Sequence, residues 1–457
     1  MRTGFGHRCR TGIAAFVAAL LAAQPVAAQS VLRDAETEAF LEKISAPLAK
    51  SAGLSPGALK LVLVSDPSIN AFVAVGQQIY INSGTIEAAD NPGELEGVIA
   101  HELGHIETGG SALTAQDAAK SATRITLLSL LLGAAAIAAG AGEAGMAAMM
   151  AGQSAAEGKF LAFSRAVEGA ADASAVRHLE QAHYSGKGMI SFFQKLKREE
   201  YRLTPSYTSI DEFAIDHPMT DDRLLTLTDS LEKSPWWNTP IDPAEQAEFE
   251  RIKAKLVGFM EDPDLVLRKY PESDQSTPAL YARAYAWHRG GYPDRAVQEV
   301  DRLVARAPHD PYFLELKGQI LLESGKPALA IPALRDAVLY SRNTPLIASL
   351  LGHALVASDD PANFKEAVQV LKVAVQRDNE NPLAWYNLGI VYTRIGDEPR
   401  ASLATAERYS LEGNPRLAMM SAEAAMHGIP QGTPDYIRAQ DIALTARDEA
   451  SRQKRRR

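Results

Sequence analysis

The sequence predicts two unlike parts: a mostly helical α+β domain with a small sheet, and behind it an all-α solenoid. Three observations carry that expectation. Two β-rich runs stand just ahead of a well-signalled helix near residue 92. A long helical middle follows, with acidic and histidine residues at helical spacing. The last third repeats itself about every 34 residues.

The first 28 residues stand apart. Arg2, Arg8 and Arg10 precede the apolar run GIAAFVAALLAA, and PVAAQS follows. A basic start, a short apolar core and small residues at Val26 and Ala28 describe a signal peptide cleaved near Ala28. The run is shorter than the roughly 20 residues a membrane span needs. Its Arg/Ala-rich character fits export to a bacterial periplasm. Cys9, the single cysteine, lies inside this segment, which excludes disulfides and thiol catalysis from the mature chain. Removing the three arginines takes the formal charge from −9 to −12. So acidic a chain is a poor non-specific binder of nucleic acid.

Residues 29–235 read as the first domain. The pattern is helical from Val31 to about Ala52. LKLVLVSD (59–66) and NAFVAVGQQIYINSG (70–84) then read as strands, the second broken near Gly76. The next helix has Asn91 as N-cap, Pro92 in its first turn and Glu94 three residues after the cap. Leu95, Val98, Ile99, Leu103 and Ile106 give it an apolar stripe, and Gly109–Gly110 ends it. The Ala/Gly-rich run 125–152 carries one charge, Glu143. It is expected to form a helical pair beside the active site or in peripheral contact with a membrane, rather than a span. A further helix is expected over 160–180, and KSPWWNTPIDP (233–243) marks a boundary. Bridging helices then occupy 236–276.

Residues 277–416 carry about four repeats. Ala284, Gly318, Gly352 and Gly389 fall in one column at spacings of 34, 34 and 37. Ala296, Ala330, Ala367 and Ala401 fall in a second at 34, 37 and 34. One three-residue insertion within SDDPAN accounts for both offsets, and Pro311, Pro345 and Pro382 repeat the same steps. Small residues where two helices cross, with a 34-residue period, are the signature of tetratricopeptide repeats. Residues 417–457 read as capping helices and a basic tail, SRQKRRR, of the kind that is most often disordered.

Chemistry concentrates in VIAHELGHIETGG (98–110). Residues four apart share a helix face, so His101 and His105 can reach one metal ion with Glu102 beside them. Two imidazoles bind zinc, the metal lowers the pKa of its water, and the glutamate takes the proton as water attacks a peptide carbonyl. A catalytic zinc needs a third protein ligand. Thr108 and Ser111 occupy the slots where a longer HExxHxxGxxH pattern would need glycine and histidine. The better candidate is FSRAVEGAADASAVRHL (163–179), where Glu168 as ligand and Asp172 as acceptor from a zinc-bound histidine lie four apart. An ordinary helix with two surface acids would show the same spacing.

AHELGH, the SRxxExxAD spacing at 164–172 and HPxxxxR at 217–223 together resemble the M48 metalloproteases. NAFVAVGQQIYINSG resembles the strand pair that precedes their metal helix. The resemblance implies a zincin-like metalloprotease fold, one Zn2+ per chain held by His101, His105 and Glu168, and Glu102 as general base. It also places His217 and Arg223 near the active site. Arg223 there suits the oxyanion of the tetrahedral intermediate, a role histidine can also fill. His217 has two readings of equal weight: it takes the fourth zinc position and keeps the enzyme latent, or it orients ligands or substrate. The remaining histidines, His178 among them, read as structural or surface residues.

With an export signal in front and repeats behind, the resemblance implies a periplasmic endopeptidase acting on unfolded or misassembled outer-membrane proteins. The exposed sheet edge around 72–82 would align extended segments. The concave face of the repeats would take a protein partner, which the resemblance places in the outer-membrane assembly machinery. The alternative is a repeat-based chaperone or scaffold for envelope protein assembly, with minor or latent proteolysis. An integral-membrane peptidase is a third reading, resting on 125–152 alone.

Overall fold

The computed structural model describes residues 30–73, 78–108, 128–130, 142–203, 217 and 219–456. The expected signal peptide, Gly76 and the Gly109–Gly110 helix stop lie outside them.

The chain opens with a short strand, β1 (Ser30–Val31), and helix α1 (Ala35–Ser51). The helix was expected from Val31. It starts later because the Asp34 side chain accepts the Thr37 N–H at 2.8 Å, while Val31 pairs with Val64 instead. Strands β2 (Lys60–Ser65), β3 (Ala71–Val73) and β4 (Gln78–Asn82) complete a four-stranded sheet of order β1-β2-β4-β3. β2 and β4 run parallel, Lys60 opposite Gln78, and β3 lies antiparallel to β4 at the sheet edge. Ser83 and Gly84 were expected to end the second strand run. They instead open helix α2 (Ser83–Ala88), because the Ser83 hydroxyl and the Gly84 N–H both donate to Asp66 O and turn the chain.

Helix α3 (Pro92–Thr108) carries the HELGH motif. Its start is as the sequence indicates: Asn91 Oδ1 accepts from Glu94 N, and the Glu94 carboxylate reaches back to the Asp90 N–H at 2.9 Å. The rest of the expectation is too modest. Every residue from Pro92 to His105 is buried, so α3 is a core helix rather than one with a solvated face. Glycines make that enclosure possible. A Cβ on Gly97 would lie 2.5 Å from Met189 Cα, and one on Gly104 would lie 2.4 Å from Ala171 O. Backbones therefore meet where side chains would hold the helices apart.

The two partners in those contacts are α4 (Gly142–Ala182) and α5 (Lys187–Leu203). α4 is one continuous helix of 41 residues, where a separate helix over 160–180 was expected. No proline interrupts it, and its Ala-rich composition has the best helix propensity. The centre of the 125–152 run lies outside the described residues. Among those described, no helix is long and apolar enough to cross a membrane. Helix α6 (Asp221–Glu232), capped by Thr220, closes this part against α4 and α5.

Helices α7 (Pro243–Met260) and α8 (Pro263–Lys269) lead into the solenoid. Its helices pair in sequence: α9 (Thr277–Arg289) with α10 (Pro293–Arg306), and α11 (Pro311–Glu323) with α12 (Pro327–Tyr340). α13 (Pro345–Ala357) and α14 (Pro361–Arg377) follow, then α15 (Pro382–Arg394) and α16 (Glu398–Leu411). α17 (Pro415–Gly428) and α18 (Pro434–Arg456) form the last pair. Residues 451–456 of the basic tail continue α18 as helix. Ala296, Ala330, Ala367 and Ala401 are all buried at the helix crossings, the physical reason for their column.

A buried charge cluster joins the two parts. Lys255 of α7 pairs with Asp34 and, at 3.3 Å, with Glu36; Arg251 reaches Glu36 at 2.5 Å and Asp310 at 2.7 Å. Tyr281 of α9 donates its hydroxyl to Glu36 at 2.7 Å. Burial pushes the Glu36 carboxyl up, against the pull of both cations, while the surrounding acids hold Lys255 well above the usual lysine range.

Candidate metal centre

Three elements bring the site together. α3 supplies His101 and His105 one turn apart, α4 supplies Glu168, and the segment just before α6 supplies His217. All four side chains are buried. Their donor atoms converge on one point. His101 Nε2 lies 3.1 Å from His105 Nε2 and 3.3 Å from His217 Nδ1, and His105 Nε2 lies 3.2 Å from His217 Nδ1. Glu168 oxygens lie 3.2 Å from His217 Nδ1, 3.3 Å from His101 Nε2 and 3.4 Å from His105 Nε2. The three nitrogens and the Glu168 carboxylate, with Oε2 toward His101 and Oε1 toward His105, thus surround one point, and one donor atom from each residue lies within 4.8 Å of the others. Four ligands about 2.0–2.1 Å from a central ion stand roughly 3.3–3.4 Å apart, so the donor set fits a tetrahedral zinc-sized ion.

The residues behind the donors fix their direction. Asp172 Oδ1 lies 3.0 Å from His101 Nδ1, which turns the His101 Nε2 toward the common point. Arg223 grips Asp172 through Nε and, at 2.8 Å, through Nη2, while its Nη1 lies 2.8 Å from Glu168 Oε2. The guanidinium sought for an oxyanion thus spends its donors, in this arrangement, on a ligand and on the carboxylate behind another ligand. Phe193 of α5 stands edge-on to His101, with its ring centroid 5.6 Å away, and under the Arg223 guanidinium. Glu102 is buried, its Oε1 3.5 Å from His217 Nε2.

The electrostatics follow from this packing. Burial opposes charge on His101, but hydrogen bonds to Asp172 and Glu168 outweigh it and push the imidazole up to about 9. His105 lacks that second carboxylate. Burial and the neighbouring His101 charge push it down to about 3. Burial works against ionised Glu168 and Asp172 as well, yet hydrogen bonds to His101, His217 and Arg223 hold both below the usual carboxylate range. A cavity of about 300 Å³ between α4 and α6 borders Glu168, Asp172 and Arg223, and Gly169, Ala173 and Leu227 also line it.

Sequence reasoning left two features out. Phe193 carries no signal beyond the apolar pattern of α5. His178 is structural, one of the two readings the sequence allowed, and it is buried. Its Nδ1 lies 2.8 Å from Ser51 Oγ and its Nε2 3.1 Å from Ser174 Oγ, and Glu107 contacts Ser174. That node ties the end of α3 to α4 and α1. The i, i+4 spacing of Ser174 and His178 was its only trace.

A buried cluster of three imidazoles and a carboxylate, on core helices beside a small mixed sheet, is the centre of a metallopeptidase domain. Residues 8–231 match the model of peptidase family M48. Beyond it, the chain is similar to the β-barrel assembly-enhancing protease of Yersinia pestis, 24% identical over 360 residues that cover 77% of this chain and 71% of the relative. It is likewise similar to the Escherichia coli (strain K12) protein of that name, 23% identical over 385 residues, 82% of this chain and 76% of the relative. The solved tetratricopeptide protein YrrB, described as having an unusual peptide-binding site, covers 40% of this chain and 94% of its own at 18% identity and a TM-score of 0.32. The solenoid itself stands on the helix pairs and their repeat columns.

Proposed function

We propose that the chain is an exported zinc endopeptidase acting on unfolded or misassembled proteins of the cell envelope. The observation that carries this reading is the convergence of these donor atoms on one point, with Glu102 buried beside it. His101, His105 and Glu168 would hold the zinc. When bound, zinc polarises the peptide carbonyl and lowers the pKa of attacking water. Glu102 accepts the proton of that water and returns it to the leaving amine. Asp172 holds the His101 tautomer through Nδ1, and Arg223 fixes Asp172 and Glu168 together. The edge strand β3 suits an extended segment, added by main-chain hydrogen bonds with little side-chain preference. The expected division into a signal peptide (1–28), peptidase domain (29–235), bridging helices and repeats assigns cutting to one part and choice of target to the other. The relatives' name, together with the basic apolar leader, supports the periplasm and β-barrel substrates.

His217 supports latency as part of the same reading. Its Nδ1 stands at the fourth corner, where a catalytic site keeps an open position. Displacing it would admit water and substrate. The same corner accommodates the scaffold reading in its latent form, since a centre closed by His217 would cut rarely.

The test is metal content and casein cleavage on the purified mature chain, beside Glu102→Gln and His217→Ala. About one zinc per chain, with cleavage abolished by Glu102→Gln and raised by His217→Ala, is the expected result. Zinc without cleavage in any variant would favour the scaffold. Unchanged basal cleavage in His217→Ala would end the latency reading alone.

A further inference from the structure

The repeat columns allow the inner helices of the solenoid to be compared position by position. Three residues before the small-residue column stand Tyr281, Glu315, Ser349, Tyr386 and, one period later, Met420. Six residues before it stand Pro278, Tyr312, Leu346, Leu383 and Leu417. These equivalent positions do not share one environment. Tyr281 is 0% exposed and Ser349 3%, whereas Tyr386 is 47% and Met420 61% exposed. Leu383 and Leu417 are 48% and 43% exposed, while Tyr312 and Leu346 are partly covered.

The chain's own N-terminal turn accounts for the covered half. Glu36 takes the Tyr281 hydroxyl, Ala35 belongs to the buried cluster that holds Leu314 and Leu351, and Arg33 reaches Asp378 at 2.9 Å. α7 adds Lys255 and Arg251 over the Tyr312 ring. Residues 33–36 therefore lie along the first three repeats much as a bound peptide would. The cover stops near Glu380, which pairs with Lys60 of β2 at 3.6 Å. Beyond that point the same two columns continue on α15 and α17 as an exposed apolar stripe.

We propose that this stripe, Leu383, Tyr386, Leu417 and Met420, is the docking surface for an extended apolar segment of an unfolded polypeptide substrate. The inference rests on the reading of the chain as a peptidase for unfolded proteins. Continuity selects the occupant. The stripe prolongs an interface already filled by the peptidase part, so a chain lying on it leads toward the sheet without crossing a gap in the repeats. Its chemistry differs from the filled half. There Lys255 and Arg251 receive carboxylates; here two leucines, a methionine and a tyrosine offer no charge, and Arg408, paired with Glu412, lies over the Tyr386 ring at 5.3 Å. The first three repeats are thus withdrawn from partner binding, and recognition belongs to the last two inner helices.

The experiment uses the full mature chain carrying Glu102→Gln and a fluorescein-labelled twelve-residue peptide alternating Phe or Val with Thr. Binding is read by anisotropy for the parent, for Tyr386→Asp with Met420→Asp, and for Leu339→Asp, an exposed apolar position on α12 outside the stripe. The double substitution should weaken binding at least about tenfold, and Leu339→Asp should leave it unchanged. No binding by the parent, unchanged binding in the double variant, or equal loss in Leu339→Asp would overturn the proposal. So would a dimer that the double substitution converts to monomer, since the face would then belong to a second copy. Casein cleavage by the unsubstituted chain is measured beside it. Failure there breaks the peptidase reading, whereas the anisotropy comparison breaks only the docking surface.

Discussion

The peptidase part carries two buried clusters of charge, one at its junction with the solenoid and one on α3, and they are built on different plans. At the junction with the solenoid, Asp34, Glu36 and Asp310 meet Lys255 and Arg251, with the Tyr281 hydroxyl on the remaining side. Each acid there has its cation within the chain. At the centre on α3, Glu168 and Asp172 share Arg223, but three imidazole nitrogens and Glu168 also converge on one point, with Glu102 close by. Three imidazole nitrogens and a carboxylate brought within 3.1–3.4 Å of one another form the donor set that a cation takes. The contrast separates a cluster that completes itself from one shaped around an ion supplied from outside.

The sharpest way to break that distinction is Glu102→Gln. If the centre is catalytic, the substitution should retain zinc and lower casein cleavage by about 10²–10⁴-fold, the range for a lost general base. Retained cleavage would move the base elsewhere. The matching test at the junction is Lys255→Ala, which leaves Asp34 and Glu36 buried without their shared cation. Removing one partner of a buried pair costs about 3–5 kcal/mol, so urea unfolding should shift by that order while zinc content stays at the parental level. A loss of zinc without a loss of stability would mean that the two clusters are coupled.

The two clusters were not equally legible. His101, Glu102 and His105 are read from spacing alone because a helix fixes where i and i+4 point. Glu168 and Asp172 follow by the same rule on α4. His217 reaches the centre from 112 residues beyond His105, and no local period could place it; the resemblance to known metalloproteases brought it near, and the folded chain put it at the fourth corner. The solenoid was legible because its packing repeats, and each small residue marks a crossing. The junction was not. Asp34 and Glu36 read as ordinary N-terminal helix acids, and Lys255 as one more lysine on a bridging helix. Their partners lie some 220 residues apart, and nothing periodic links them. The burial of α3 on all sides was missed for a related reason: Gly97 and Gly104 look like weak points until their neighbours, Met189 and Ala171, are known.

Asp172→Asn sharpens the comparison at smaller scale. Asp172 touches no common donor point; it orients His101 and anchors Arg223. Zinc affinity, measured by competition with a chelator, should fall about 10–100-fold, the range for residues that hold metal ligands. The urea midpoint should move far less than in Lys255→Ala. An affinity unchanged from the parent would leave Asp172 with a purely structural part.

The smallest effect tests a third way of burying an acid. Glu96 lies on α3, 5% exposed, and among the described residues no cation is paired with it. Burial first, and then the neighbouring Glu245 on α7, push its carboxyl up to about 8. The proton does here what Lys255 does at the junction. In the unfolded chain the same group ionises near 4.5, so between pH 4.5 and 8 the unfolded state is charged while the folded state keeps its proton. The unfolded state then binds fewer protons, and stability falls as pH rises through that window. Glu96→Gln removes the titration and keeps the shape. Its stability relative to the parent should be near zero at pH 4 and rise to a gain at pH 8, read as a widening difference in urea midpoints. A gain that is the same at both pH values would show that Glu96 does not titrate in that window, and a loss that grows with pH would show that it is ionised in the fold and served by a cation.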